Sequence, residues 1–94
     1  MVQRYRKKPV IIEAIQFMGN DNIIECQQFI WGDDIPVEER GKRHIAIKTL
    51  EGTMIAEPSD YIIKGTAGEF YPCKEAIFND LYDLVRSFEE IDNA

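Results

Sequence analysis

Few side chains in this 94-residue chain are equipped for catalysis, and their spacing favours binding. The single histidine, His44, stands between Arg43 and Ile45 with no serine or cysteine nucleophile in a recognisable arrangement, so a structural or surface role is expected. Cys26, His44 and Cys73 are the soft metal ligands, and they lack the Cys-x-x-Cys or His-x-x-x-His spacing of a zinc site. Neither metal nor cofactor is expected. The acidic pairs Asp33-Asp34 and Glu38-Glu39 are consecutive, and adjacent side chains diverge rather than form the carboxylate dyad of a hydrolase. No catalytic residue is expected, and a small hydrolase resting on Glu13 or His44 alone is the weakest reading.

Binding chemistry is better represented. Lys64, Thr66, Tyr71 and Lys74 bracket the turn Gly65-Thr-Ala-Gly68, whose backbone amides can cradle an anion. The turn lacks the Gly-Lys-Ser/Thr ending of a phosphate-binding loop and leads into a strand, so a plain hairpin turn competes with that reading. Arg6 and Lys8 can add charge from the N-terminal arm, while Tyr71 and Trp31 can supply rings for stacking. Trp31 equally suits a core edge or a partner contact. The candidate ligand-binding set is therefore Arg6, Lys8, Trp31, Lys64, Thr66, Tyr71 and Lys74.

The elements that must position these groups can be read from hydrophobic periodicity. Val10-Ile-Ile-Glu-Ala-Ile-Gln-Phe17 is β-rich and apolar at both parities, as in an interior strand covered on two sides, with Glu13 at a sheet margin or in an ion pair. Asn20 or Asp21 then offers an N-cap for a helix that places Ile23, Cys26 and Ile30 on one face and stops at Gly32. Residues 33–43, with Pro36 and Gly41, read as a loop. Ile45 and Ile47 alternate with polar or small neighbours up to a reversal at Glu51-Gly52, and Thr53 to Glu57 returns as the second arm of a hairpin. Tyr61 to Lys64 and Glu69 to Tyr71 are further short strands separated by turns, with Pro72 ending the sheet. Ile77, Phe78, Leu81, Leu84, Val85 and Phe88 then fall on one stripe of an amphipathic helix. Acidic residues near the end of that helix oppose its dipole, so residues 89–94 are expected to fray. The expected fold is α+β: a mainly antiparallel sheet of about five strands, one helix after the first strand, and a C-terminal amphipathic helix packed on the sheet.

Length and charge bound the function. Ninety-four residues make one domain, 1–94, with a basic N-terminal arm, 1–8, and burial so limited that self-association into a homo-oligomer is favoured. The net charge of −6 argues against binding duplex nucleic acid. That sum nevertheless hides positive clusters at Arg4, Arg6, Lys7 and Lys8 and at Arg40, Lys42, Arg43 and Lys48, set against an acidic C-terminal segment. No apolar run approaches the roughly 18 residues of a membrane span, so no membrane partner is expected and a cytoplasmic setting is inferred. In that reducing setting Cys26 and Cys73 are read as free thiols.

The block Pro58-Ser-Asp-Tyr-Ile-Ile-Lys-Gly-Thr-Ala-Gly-Glu-Phe-Tyr-Pro-Cys-Lys74, followed by Ile77-Phe78, resembles the signature of a family of small phage and prophage proteins, and Tyr5-Arg-Lys-Lys-Pro-Val-Ile-Ile-Glu-Ala-Ile-Gln-Phe17 resembles that family's opening. Ser59 stands where the family usually has glycine, and Glu75 where it often has proline. The resemblance implies phage origin, a host-cytoplasm setting and a small accessory role, and carries over no catalytic residue. It favours a non-enzymatic anti-defence binding protein that sequesters a cyclic nucleotide immune signal in a homo-oligomer. The alternative is an inhibitor or assembly factor that sets its acidic C-terminal helix against a basic host protein surface.

Overall fold

A computed structural model describes residues 1–86. Five strands form two antiparallel sheets. β1 (Glu13–Gln16), β4 (Tyr61–Lys64) and β5 (Phe70–Cys73) assemble in the order β1-β4-β5, while β2 (Ile45–Thr49) and β3 (Gly52–Ala56) form a separate hairpin. Helix α1 (Ile23–Trp31) follows the first strand, and α2 (Glu75–Leu81) follows the last and rests on the three-stranded sheet. The α+β class, the strand number and the placement of both helices are those the periodicity predicts.

Register explains how one central strand serves two layers. Directly opposed residues share a face, so Ile15, Ile62 and Phe70 point one way and Ala14, Tyr61, Ile63 and Tyr71 the other. The first face meets α1 and the hairpin in a core of Phe17, Cys26, Ile45, Ile47, Ala56 and Ile62, with Phe29 set edge-on to Phe70 at 5.4 Å between centroids. The second face receives α2, where Phe78 stacks on Tyr61 at 3.7 Å and buried Ile63 lies beneath.

Several local expectations are corrected. Among the described residues the first strand pairs only with β4 and spans four residues, so it is an edge strand there and not an interior one; Val10 and Ile11 are about half exposed. Its margin position does suit Glu13, which is exposed and sits opposite Lys64. The residue preceding α1 is Asn22, not Asn20 or Asp21. Its side chain accepts from Met18 N at 2.7 Å and donates to Gln16 O at 2.8 Å, tying the incoming loop to β1 instead of capping helical amides. Gly32 does end α1, at φ 64.

Pro72 lies inside β5 and does not end the sheet. Odd-numbered β5 residues face β4, so the nitrogen of Pro72 lies on the outer edge, where a missing N–H costs no ladder bond. The C-terminal helix stops at Leu81. Tyr82 takes an extended backbone, φ −132 and ψ 144, and swings its ring onto Phe78 at 4.9 Å. Leu84 and Val85 therefore leave the helical stripe, Ile77 and Leu81 are exposed, and Phe88 and residues 89–94 lie outside the described residues. Phe78 alone carries the stacking contact with the sheet.

Ser59 is the one non-glycine at positive φ among the described residues, at 80°. A side chain there costs on the order of 1 kcal/mol, and the constraint to this conformation comes from Ser59 N donating to Phe17 O at 2.7 Å. Glu75 occupies the first position of α2, where proline is also at home, and its carboxylate accepts from Gln16 Nε2 at 2.6 Å.

Two measurements check this packing. Ile62→Ala should lower the unfolding free energy by about 2–5 kcal/mol in urea titration, and Leu81→Ala by about 0.5 kcal/mol or less; equal losses would place Leu81 in the core after all. Burial first, and the charge of Glu25 second, push the Cys26 thiol up from its ordinary 9.0 to about 11. The unfolded chain therefore releases this proton first. The associated stability is intact below pH 9.0 and is lost as pH rises through about 11. Urea midpoints should fall over that window, less steeply in Cys26→Ala; identical slopes in both proteins would remove Cys26 as a source.

Candidate functional site

The turn before β4 is built around a buried carboxylate. Asp60 is 3% exposed; its Oδ2 accepts from Glu57 N at 2.9 Å, and its backbone oxygen accepts from Phe17 N at 2.8 Å. Lys74, at the entrance to α2, places Nζ 3.2 Å from Asp60 Oδ1 and 3.8 Å from Glu57 Oε2. The ammonium of Lys74 is thus matched by two carboxylates. Of the seven sequence candidates it is the one whose charge is already committed.

On the α2 side of the sheet, aromatic rings form a ladder. Tyr61 stacks on Phe78, Phe78 meets Tyr82, and Lys7 Nζ sits 5.7 Å from the centroid of the Tyr82 ring, a cation–π distance that lays the basic arm against this face. Tyr71 adjoins the same cluster. Burial, then a hydrogen bond with the Tyr82 side chain and the nearby charges of Glu69 and Cys73, hold its phenol above the usual range.

The Gly65–Gly68 turn is closed by its own backbone: Gly65 N donates to Glu69 O at 2.7 Å and Gly68 N to Gly65 O at 3.0 Å. Those two amides are not free for an anion. The Glu69 side chain lies over Gly65, where an added Cβ would overlap it. Beside the turn, a cleft of about 360 Å³ is lined by Ile11, Ile12 and Glu13 at the entrance to β1 and by Lys64, Gly65, Thr66 and Gly68 at the end of β4 and in the turn itself. The chain immediately after Lys8 therefore borders the residues that carry Lys64 and Thr66.

Trp31 is elsewhere. It packs against the core and lines a separate groove of about 550 Å³ with Pro36, Glu38, Glu39, Lys48, Leu50 and Glu69 among its walls. Three acids against one lysine make that groove unfavourable for phosphate. The segment that follows the arm, Ile11 to Glu13, thus walls the cleft shared by Lys64 and Thr66, while Lys7 of the arm and Tyr71 both meet Tyr82; register sets Lys64 on the opposite sheet face from Tyr71, and Trp31 and Lys74 lie elsewhere. His44 is exposed just before β2, and no cluster of metal-binding side chains occurs among the described residues. No described helix is long and apolar enough to cross a membrane.

Sequence reasoning missed three features: the Asp60 knot, the Tyr61–Phe78–Tyr82 ladder, and buried Glu39. The last accepts from Ala46 N at 3.2 Å through Oε1 and has Lys42 4.0 Å from Oε2. A Pro-Ser-Asp turn ahead of a β-branched pair was a signal for the first; aromatic residues 17 and 21 positions apart gave none for the second. Asp60→Ala should cost about 1–3 kcal/mol in urea titration by stranding Glu57 N, and Lys74→Ala about 1 kcal/mol or less because its ammonium is largely solvated. The reverse order would make the ion pair, not the carboxylate–amide bond, the fastening.

No protein-family model, no curated protein and no solved structure matches the chain.

Proposed function

We propose that this chain is a non-enzymatic accessory binding protein of phage type that sequesters a small anionic signal of the cyclic nucleotide class. The observation that carries this reading is the cleft beside the β4–β5 turn, one wall of which directly follows the basic arm in the chain. Arg6 and Lys8 belong to the segment that leads into Ile11 and Ile12, and those residues wall the cleft shared with Lys64 and Thr66. Arg4, Arg6, Lys7 and Lys8 precede that wall in the chain, and Lys64 lines the cleft opposite Glu13, a run of positive charge within a net charge of −6. In this reading Arg6, Lys8 and Lys64 meet phosphate, the Thr66 hydroxyl adds a neutral hydrogen bond, and Tyr71 or Tyr82 offers a ring to a base. The phage-type signature block contains Lys64, Thr66 and Tyr71.

A second reading, an inhibitor that sets the C-terminal segment on a basic host protein, is favoured by Ile77 and Leu81, which α2 leaves exposed near Asp80 and Asp83.

Calorimetric titration with a panel of cyclic di- and trinucleotides tests the first reading. At least one member should bind, and Lys64→Ala should weaken it about tenfold or more while the far-ultraviolet circular dichroism spectrum stays unchanged. Absence of heat with every member would sink the proposal, and unchanged affinity in Lys64→Ala would remove that lysine from the site.

A further inference from the structure

The outer edge of β1 is open among the described residues, since β1 is the terminal strand of its sheet. Phe17 donates to Asp60 O and accepts from Ser59 N, which turns the backbone groups of odd-numbered residues towards β4 and those of even-numbered residues outward. Gln16 O is occupied by Asn22. Ala14 remains, and continuing the alternation adds Ile12 and Val10. Pro9 falls in the β4-facing set, so its missing N–H does not obstruct pairing on the outer side.

Side chains flank this edge on both sides. A cleft of about 690 Å³ runs along residues 10–14, with Phe29 from the core layer on one side and Phe78, Tyr82 and Leu84 on the other. Edge strands are ordinarily blunted by charge, proline or a bulge. Here the segment 10–17, of which β1 is residues 13–16, is apolar at both parities apart from Glu13 and Gln16, the composition of a strand with neighbours on each side. The charged residues that line the cleft are Glu13 and Asp83, so its charge is acidic, while the residues that precede this strand in the chain include Arg6, Lys7 and Lys8.

We propose that the occupant is a second copy of this chain, which adds its own first strand antiparallel to β1 about a two-fold axis. A register with Val10 of one copy facing Ile12 of the other matches outward groups with outward groups. It also sets the second copy's Pro9 opposite Glu13 and its Lys7 diagonal to that carboxylate on the same face, and symmetry repeats the contact. The match is one of hydrogen-bond parity, apolar walls on both faces, and opposite charge.

Sedimentation equilibrium of the full chain should give twice the monomer mass at micromolar concentration. Ile12→Pro removes an outward N–H while leaving the β4 ladder intact, and Val10→Asp puts a charge on a side chain that is 47% exposed in the single copy. Each should weaken self-association by about tenfold or more with an unchanged circular dichroism spectrum. If Ile12→Pro fails to fold, Val10→Asp carries the test alone. A wild-type chain that stays monomeric up to millimolar concentration, a dimer that survives in the folded variants, or an edge filled by another protein in place of a second copy would each overturn the proposal. Lys64→Ala tests the nucleotide cleft without touching the outer edge of β1, and Val10→Asp tests that edge without touching Lys64 or Thr66, so either result can fail without the other.

Discussion

The structure hangs on a carboxylate removed from water. Asp60 sits where the chain returns from the β2–β3 hairpin to the three-stranded sheet, and its side chain and backbone together hold Glu57 N, Phe17 N and the ammonium of Lys74. These contacts come from the end of the hairpin, the end of β1 and the start of α2. A buried carboxylate without such partners would be strongly unfavourable, so burial and bonding at this point require each other. The left-handed conformation of Ser59 belongs to the same arrangement, because it aims the neighbouring amide at Phe17 O. A strained residue is tolerated where several bonds over-determine the turn.

With that turn fastened, β4 becomes the member common to both layers. Ile62 serves the core shared with α1 and the hairpin, while Ile63 and Tyr61 serve α2. The two layers differ in character. One is a conventional apolar core; the other is a ladder of rings with a lysine laid on its end. Charge follows the same division: Glu38, Glu39 and Glu69 gather around Trp31, and the basic arm lies towards the ring side.

Local chemistry made much of the fold legible. The alternation of Ile45 and Ile47 with the Glu51-Gly52 reversal defined the hairpin, and Gly32 defined the end of α1, because each depends on neighbours in the chain. Errors arose where the deciding partner is distant. Leu81, Leu84 and Val85 have helical spacing, yet Tyr82 leaves the helix to reach Phe78 and the Tyr71 side chain. Pro72 reads as a terminator until register shows which way its nitrogen faces. The candidate site was legible in the same measure: Lys64 and Thr66 share a turn, but nothing local announces that Lys74 answers Asp60, or that Trp31 opens onto an acidic groove.

Pro72 also limits how copies of this chain can assemble. Open-ended strand stacking needs two competent edges, one to offer and one to accept. The β1 edge retains outward donors, whereas the β5 edge lacks one at Pro72 and lies against the hairpin. Head-to-tail growth of the three-stranded sheet through its β5 edge is therefore disfavoured. In a chain rich in β-branched residues, a single imide nitrogen thus takes one ladder bond away from that edge.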